Sequence, residues 1–307
     1  MRTNIVKFAA QNKTNNMQNA TLFFVKFAVK LFALLPFWMV FLISDFLFFL
    51  LYRIFKYRKK IVLKNLSNSF PNKTPEEINN CAILFYRHFC DLLVETIKGF
   101  SLPKKELQKR FVNKNPEVFD TLFKNNKSAL LLGSHYGNWE WGSLSFPLAV
   151  QHKVIGIYKP LKNKKIDQYL NSLRKRWGMH LVSMAQTGRA IIKNKDQACI
   201  FALIADQTPS DIQNAIWLNF LNQDTPFLHG PEKLASQTGY AVFYYKITKL
   251  KRGFYQMEFK ELKPEKNEYP KKTITALYAN ELEKDIKNHP EYWLWSHRRW
   301  KRKRIND

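Results

Sequence analysis

Residues Ala129 to Trp141 read ALLLGSHYGNWEW. The apolar run Ala129–Leu132 has strand length and no polar face, which is the pattern of a strand buried on both sides. Gly133 ends it. The turn that follows carries Gly133 and Gly137, two positions where the backbone can take a tight reversal without a Cβ clash. Asn138 is a suitable N-cap for a helix that starts directly after it. A strand, a turn and a helix in that order open an α/β unit. In such units ligands gather beyond the carboxyl ends of the strands, and His135 and Glu140 stand there.

The rest of the chain repeats the pattern. Val154–Tyr158, Ala198–Ile204 and Ala215–Phe220 are further apolar strands, with a short extended piece at Leu181–Ser183. Tyr240–Thr248 is strand-like, and Phe254–Leu262 alternates as an edge strand does. Between them Ile166–Trp177, Gly230–Thr238 and Ile274–Asn288 read as helices. Thr74–Phe100 reads as one long amphipathic helix, with Thr74 as N-cap, Pro75 at the first position and Glu76 and Glu77 in the first turn. Leu107–Lys127 also reads as helical. The fold class is therefore α/β, a mixed and largely parallel sheet flanked by helices.

Upstream, Leu31–Tyr52 reads LFALLPFWMVFLISDFLFFLLY, with Asp45 as its one charge. Twenty-two helical residues reach about 33 Å, enough for a bilayer core of about 30 Å. The run is too long, and starts too late, for a cleaved signal peptide. The basic RIFKYRKK of Arg53–Lys60 follows, suited to anionic headgroups. Pro36 and Asp45 are awkward in a lipid-exposed span, so a helix half-buried in one leaflet and a span both remain open. So does a buried core helix. The expected division is a membrane-anchoring region at 1–60 and a catalytic domain at 61–307.

Composition bounds the partners. The 307 residues carry 50 Lys+Arg against 24 Asp+Glu, a formal charge of +26, which favours anionic surfaces: lipid headgroups, acidic proteins or nucleic acid. No zinc-finger spacing or RNA-binding motif supports nucleic acid. With 46% hydrophobic residues the chain is not disordered. Only Cys81, Cys90 and Cys199 occur, and none make a CxxC pair. The histidines show neither H-x3-H nor H-E-x-x-H, and no phosphate-binding glycine loop occurs, so neither a catalytic metal nor a nucleotide cofactor is expected.

His135 and Glu140 are five apart. On one helix they would differ by about 140° beyond a full turn. They can meet only if His135 lies in the turn and Glu140 within the helix. A histidine held by a carboxylate at one ring nitrogen is a general base at the other, and N–H groups at the helix start can face a developing oxyanion. Ser134 beside His135 does not make a serine hydrolase, since the segment lacks G-x-S-x-G.

The H-x4-E motif after a buried strand, behind an apolar helix, resembles the lipid A biosynthesis acyltransferases of the late, lauroyl/myristoyl type. These are relatives of the glycerolipid acyltransferases with their H-x4-D. The likeness extends through Leu35-Pro36, Lys64-Asn65-Leu66, Phe70-Pro71, Tyr158-Lys159-Pro160, Arg174–Gly178, Ala205-Asp206-Gln207, Thr225–Gly230 with Leu234-Ala235, His289-Pro290 and Trp293–Arg298. It implies a glycerolipid-acyltransferase-like fold and transfer of a fatty acyl chain from a thioester to a hydroxyl of a lipid A precursor. His135 would be the base and Glu140 its support. Arg174, or Arg176 beside it, would hold phosphate, Asp206 would serve nearby or at the acceptor, and Asn138 would belong to the substrate-binding set. The implied partners are acyl carrier protein or coenzyme A as donor carrier, anionic membrane lipid, and a phosphorylated glycolipid. The implied place is the cytoplasmic face of a bacterial inner membrane. The sequence departs from the family's usual Tyr-Arg-Pro at Lys159, and from its Phe-Phe-Gly at Phe220-Leu221-Asn222. Acceptors of another kind (a lysophospholipid, an amino-acid lipid or a glycosylated lipid) and a non-catalytic membrane-binding scaffold are the alternatives.

Overall fold

The computed structural model describes residues 2–263 and 273–304. Two apolar helices come first, α1 (Arg2–Leu34) and α2 (Phe37–Phe48), the second running on as a π-helical turn over Phe49–Ile54. The expected single helix over Leu31–Tyr52 is thus split. Pro36 has no N–H to donate and pushes Leu35 out of the helical region. The break leaves carbonyls without partners, and Lys98 supplies them: its Nζ donates to the carbonyls of Phe32, Ala33 and Leu35 at 2.8, 3.0 and 2.7 Å.

After α3 (Lys59–Ser69) comes α4 (Pro75–Gly99), close to the bounds its caps predict. Thr74 accepts from the Glu77 N–H while Glu77 accepts from that of Thr74, a reciprocal capping box. The stretch expected as one helix over Leu107–Lys127 is instead α5 (Lys104–Arg110), a three-residue strand β1 (Phe111–Asn113), a 3₁₀ turn and α6 (Asp120–Lys124). Pro116 disfavours helix at Asn115. That asparagine is pinned to the sheet by two 2.9 Å bonds with the backbone of Phe259.

The remaining elements are β2 (Ala129–Gly133), α7 (Trp139–Ser145), β3 (Lys153–Tyr158), α8 (Lys164–Arg174), β4 (His180–Ser183), α9 (Thr187–Lys193), β5 (Cys199–Ile204), β6 (Ile216–Phe220), β7 (Gln223–Phe227), α10 (Gly230–Thr238), β8 (Ala241–Lys251), β9 (Phe254–Glu261) and α11 (Ile274–Asn288). Seven strands form one sheet in the order β1-β9-β8-β2-β5-β3-β4. Every neighbour pair is parallel except the hairpin β8–β9. The strand predicted at Ala215–Phe220 stands apart, in a two-stranded ribbon with β7. β9 is not the edge, because the short β1 covers it.

Both faces of the sheet are packed. Leu130 and Leu132 point into a cluster with Phe85, Tyr278 and Leu282, while Ala129 and Leu131 point into another with Trp141 and Leu144. This is why β2 carries no polar side chain. Its carboxyl end lies at the centre of the sheet, between β8 and β5.

Candidate active site

The register of two strands builds the site. In the β2–β5 pair, Gly133 stands opposite Ile204, and the Ala205 N–H donates to the Gly133 carbonyl at 3.0 Å. Two residues further on, His135 and Asp206 therefore reach the same level side by side. The Asp206 carboxylate accepts from His135 Nδ1 at 2.7 Å and from the His135 backbone N–H at 3.0 Å. It also accepts from the Trp293 indole at 2.9 Å. Burial alone would push the Asp206 carboxyl up. The His135 charge, the two His135 bonds and the indole outweigh that and hold it below the usual carboxylate range.

Asp206, ionised, fixes the ring tautomer by accepting the hydrogen bond from Nδ1–H. Nε2 is left with its lone pair outward, 3.3 Å from the Gln207 amide nitrogen. The edge of the Trp139 ring bounds the imidazole, with centroids 5.0 Å apart. The His135 side chain is about 20% exposed, enough for an incoming hydroxyl to meet it.

Glu140 does not hold the imidazole. Its carboxylate takes a bidentate pair from Arg174, Nη2 to Oε1 at 2.7 Å and Nε to Oε2 at 3.1 Å. The reason is geometric: α7 directs its first turn toward α8, and Asp206 already occupies Nδ1. Arg174, rather than Arg176, lines the site. The Arg176 guanidinium donates to the Phe100 carbonyl and lies over the Trp177 ring. Asn138 does cap α7, accepting from the Trp141 N–H at 3.0 Å. Its amide nitrogen, however, donates to Glu95 at 2.8 Å, and the side chain is fully buried. Both ends are engaged inside the protein, so it is a supporting residue and not a substrate contact.

Behind His135 opens a cavity of about 190 Å³. Its body is apolar, walled by Leu131, Phe146, Met179, Leu203 and Met257, and its mouth carries His135, Glu140 and Arg174. Two glycines beside His135 leave no room for a side chain. A Cβ on Gly133 would sit 1.9 Å from the Tyr245 ring, and Gly137 holds φ +63 against Ile247. The C-terminal segment closes the site from outside. The Leu294 N–H donates to the His135 carbonyl at 3.1 Å. Arg299 is buried and donates to the Pro226 carbonyl at 2.7 Å. Burial lowers its pKa to about 10. His297 accepts from the Thr208 N–H at 3.4 Å.

Tyr245, Trp139, Gln207 and Trp293 were missed as site residues. Gln207 and Trp293 lie within matched motifs. Nothing in the spacing of Tyr245 marks it, since β8 brings it to the cavity from 110 residues downstream of His135.

A carboxylate–imidazole pair whose Nε2 meets only the Gln207 amide, at the mouth of an apolar pocket, is equipped to deprotonate a hydroxyl beside a hydrocarbon chain. The sequence pattern of the bacterial lipid A biosynthesis acyltransferases matches residues 8–302. The chain belongs to that family. It is 24% identical over 256 residues to the lipid A biosynthesis palmitoleoyltransferase of Escherichia coli (strain K12), covering 82% of this chain and 81% of that one. It is equally similar to the lipid A biosynthesis acyltransferase of Shigella flexneri. The protein is an acyltransferase, as the resemblance of its motifs implied.

Proposed function

We propose that the protein is a membrane-bound O-acyltransferase that moves a fatty acyl chain from an acyl thioester, borne by acyl carrier protein, to a hydroxyl of a phosphorylated lipid A precursor at the cytoplasmic face of a bacterial inner membrane. The observation that carries this is the His135–Asp206 pair at the mouth of the apolar cavity. The family and the names of the relatives support the acceptor.

In this reading the acceptor hydroxyl displaces Gln207 from Nε2 and gives its proton to His135. Its oxygen attacks the thioester carbonyl, forming a tetrahedral oxyanion. Collapse breaks the C–S bond, and the departing thiolate takes the proton from the imidazolium. An ester and a free thiol result, with His135 restored. Asp206 stays ionised throughout and stabilises the imidazolium. Arg174, held at the mouth by Glu140, presents a planar cation to a phosphate of donor or acceptor. The cavity takes the acyl chain, each buried methylene contributing about 0.8 kcal/mol. The positive surface suits an acidic carrier and a phosphorylated glycolipid alike.

The test is mass spectrometry of lipid A from a deletion strain complemented with wild type, His135→Ala or Asp206→Asn. The expected result is loss of one acyl chain on deletion, restored by wild type and not by His135→Ala. Unchanged lipid A in the deletion strain would refute the acceptor and direct the search for the missing acyl group to other lipids. Full restoration by His135→Ala would refute the catalytic reading and revive a scaffold.

A further inference from the structure

We propose that α1 and α2 do not cross the bilayer: they lie in one leaflet as a hairpin whose inner side is tied to the catalytic domain and whose outer side is bare hydrocarbon surface. This rests on the membrane-bound reading above and decides how that binding is made. Met17–Leu34 and Phe37–Ile54 are each long and apolar enough to span, by length and composition. Their attachments argue otherwise.

The ties begin at α2. Ser44 donates to the Asp91 carboxylate on α4 at 2.7 Å. Arg252, at the β8–β9 turn, donates to Asp91 at 2.8 Å and to Asp45 at 2.7 Å. Lys249 pairs with the same Asp91 at 3.0 Å. Phe41 lies under the Arg252 guanidinium. Ser44 and Asp45 stand in the middle of the second apolar stretch. Setting that stretch across a bilayer would carry Asp91, Lys249 and Arg252, with the ends of two sheet strands, toward the membrane midplane. Each charge taken there costs on the order of a hundredfold in partition.

The turn between the helices is tied as well. Lys98, on α4, caps the carbonyls of Phe32, Ala33 and Leu35. In a spanning hairpin, or with α2 alone spanning, that turn would be on the far side of the membrane from the domain. Nor can α1 cross alone. Asn19 and Lys26 lie within the first stretch, yet Asn19 accepts from Lys165 and Lys26 lies over the Tyr169 ring, both on α8. Every threading pulls apart contacts that hold the helices to the domain.

The opposite side is unpartnered. Phe23, Phe24, Phe27 and Leu34 on α1, and Trp38 and Phe46 on α2, are more than half exposed. Basic residues end and follow the second stretch at Arg53, Lys56 and Lys59, where headgroups would stand, and Lys30 adds a cation on α1. Hydrocarbon with a cationic border fits one occupant, an anionic lipid leaflet. Because α1 rests on α8, which carries Arg174, the cavity mouth is brought to the leaflet from which a lipid acceptor would arrive.

The full-length chain, with the partly exposed Cys81 replaced by Ala so that only Leu34→Cys takes a nitrobenzoxadiazole dye, is added to preformed sealed vesicles of phosphatidylethanolamine and phosphatidylglycerol. The highly charged domain stays outside. Dithionite, which does not cross sealed bilayers, is then added. The expected result is loss of the dye signal without detergent, as for the same dye at Lys301→Cys on the domain. A signal at position 34 that survives until detergent opens the vesicles overturns the proposal. A second variant, Phe24→Asp with Phe46→Asp, is expected to lower vesicle partition by about tenfold or more. Unchanged partition overturns it, including the case where the variant only dissociates a dimer in detergent, which would assign the face to a second copy. Both readouts need no turnover and can be made in a His135→Ala background, so they stand or fall separately from the reaction.

Discussion

Glu140 is five residues from His135 and Asp206 is 71 away, yet Asp206 holds the ring. The two acids should separate on substitution. Asp206→Asn removes the acceptor that fixes the Nδ1 tautomer and should lower kcat by about 10²–10⁴-fold with the fold retained. Glu140→Gln, which leaves the His135–Asp206 pair intact, should keep more of kcat. Equal losses of kcat in both variants would return Glu140 to the imidazole. Glu140 and Arg174 form one unit, so their effects should not add. A double-mutant cycle on kcat/KM with Glu140→Ala and Arg174→Ala is expected to show a coupling of about 0.5–3 kcal/mol. Additive losses would mean that the pair acts at two separate places. The position of His135 at the site was legible because a glycine-flanked histidine at a strand end is a local pattern. Its partner was not, because a single chain does not state which strand lies beside which.

Glu95 joins three elements. It sits on α4, accepts from Asn138 ahead of α7 at 2.8 Å and accepts from the Tyr255 hydroxyl on β9 at 2.7 Å. Its other oxygen has no partner among the described residues. Burial, and then the Asp91 charge, push its pKa up to about 7, against the lowering by Tyr255, Lys249 and Asn138. An acid whose folded pKa is raised keeps a proton that the unfolded chain releases above about 4.3. Its contribution is therefore complete below that value and is lost as pH rises to about 7, by roughly 4 kcal/mol in total. Glu95→Gln should remove this slope. Urea unfolding at about pH 5 and pH 8 checks it, and parallel stability curves for the two proteins would refute it. At the cavity wall, a Cβ on Gly156 of β3 would lie 3.0 Å from Met179 Sδ and 3.1 Å from Leu181 Cδ2. Gly156→Val should shift the preference among mixed thioesters toward shorter chains, by about tenfold or more per lost methylene. An unchanged product distribution by mass spectrometry would mean that the chain lies elsewhere. These elements were mostly readable, since α4 has its capping box and β2, β3 and β5 their apolar runs. The stretch after α5 was not, because a three-residue strand leaves no period to detect.

Across the whole molecule, the +26 charge sets how strongly ionic strength should act. The Debye length falls from about 10 Å at 0.1 M salt to about 3 Å at 1 M. Over that range the KM for a carrier-borne thioester should rise severalfold with kcat little changed. A flat KM would mean that the positive surface does not meet the carrier. The amino-acid order by itself determined the α/β class, the long capped helix α4, the apolar N-terminal region, His135 and the family. Each of these depends on local periodicity, capping or an ordered set of motifs, which the linear chain carries. Tertiary structure alone decided that Asp206 replaces Glu140 at the imidazole, that Glu140 holds Arg174, that Asn138 faces inward, and that the apolar helices are tied to the domain through Lys98, Asp91 and Arg252. Those are pairings between segments from 34 to 207 residues apart. They are chosen by strand register and by which faces pack together, and these come into being only when the sheet forms.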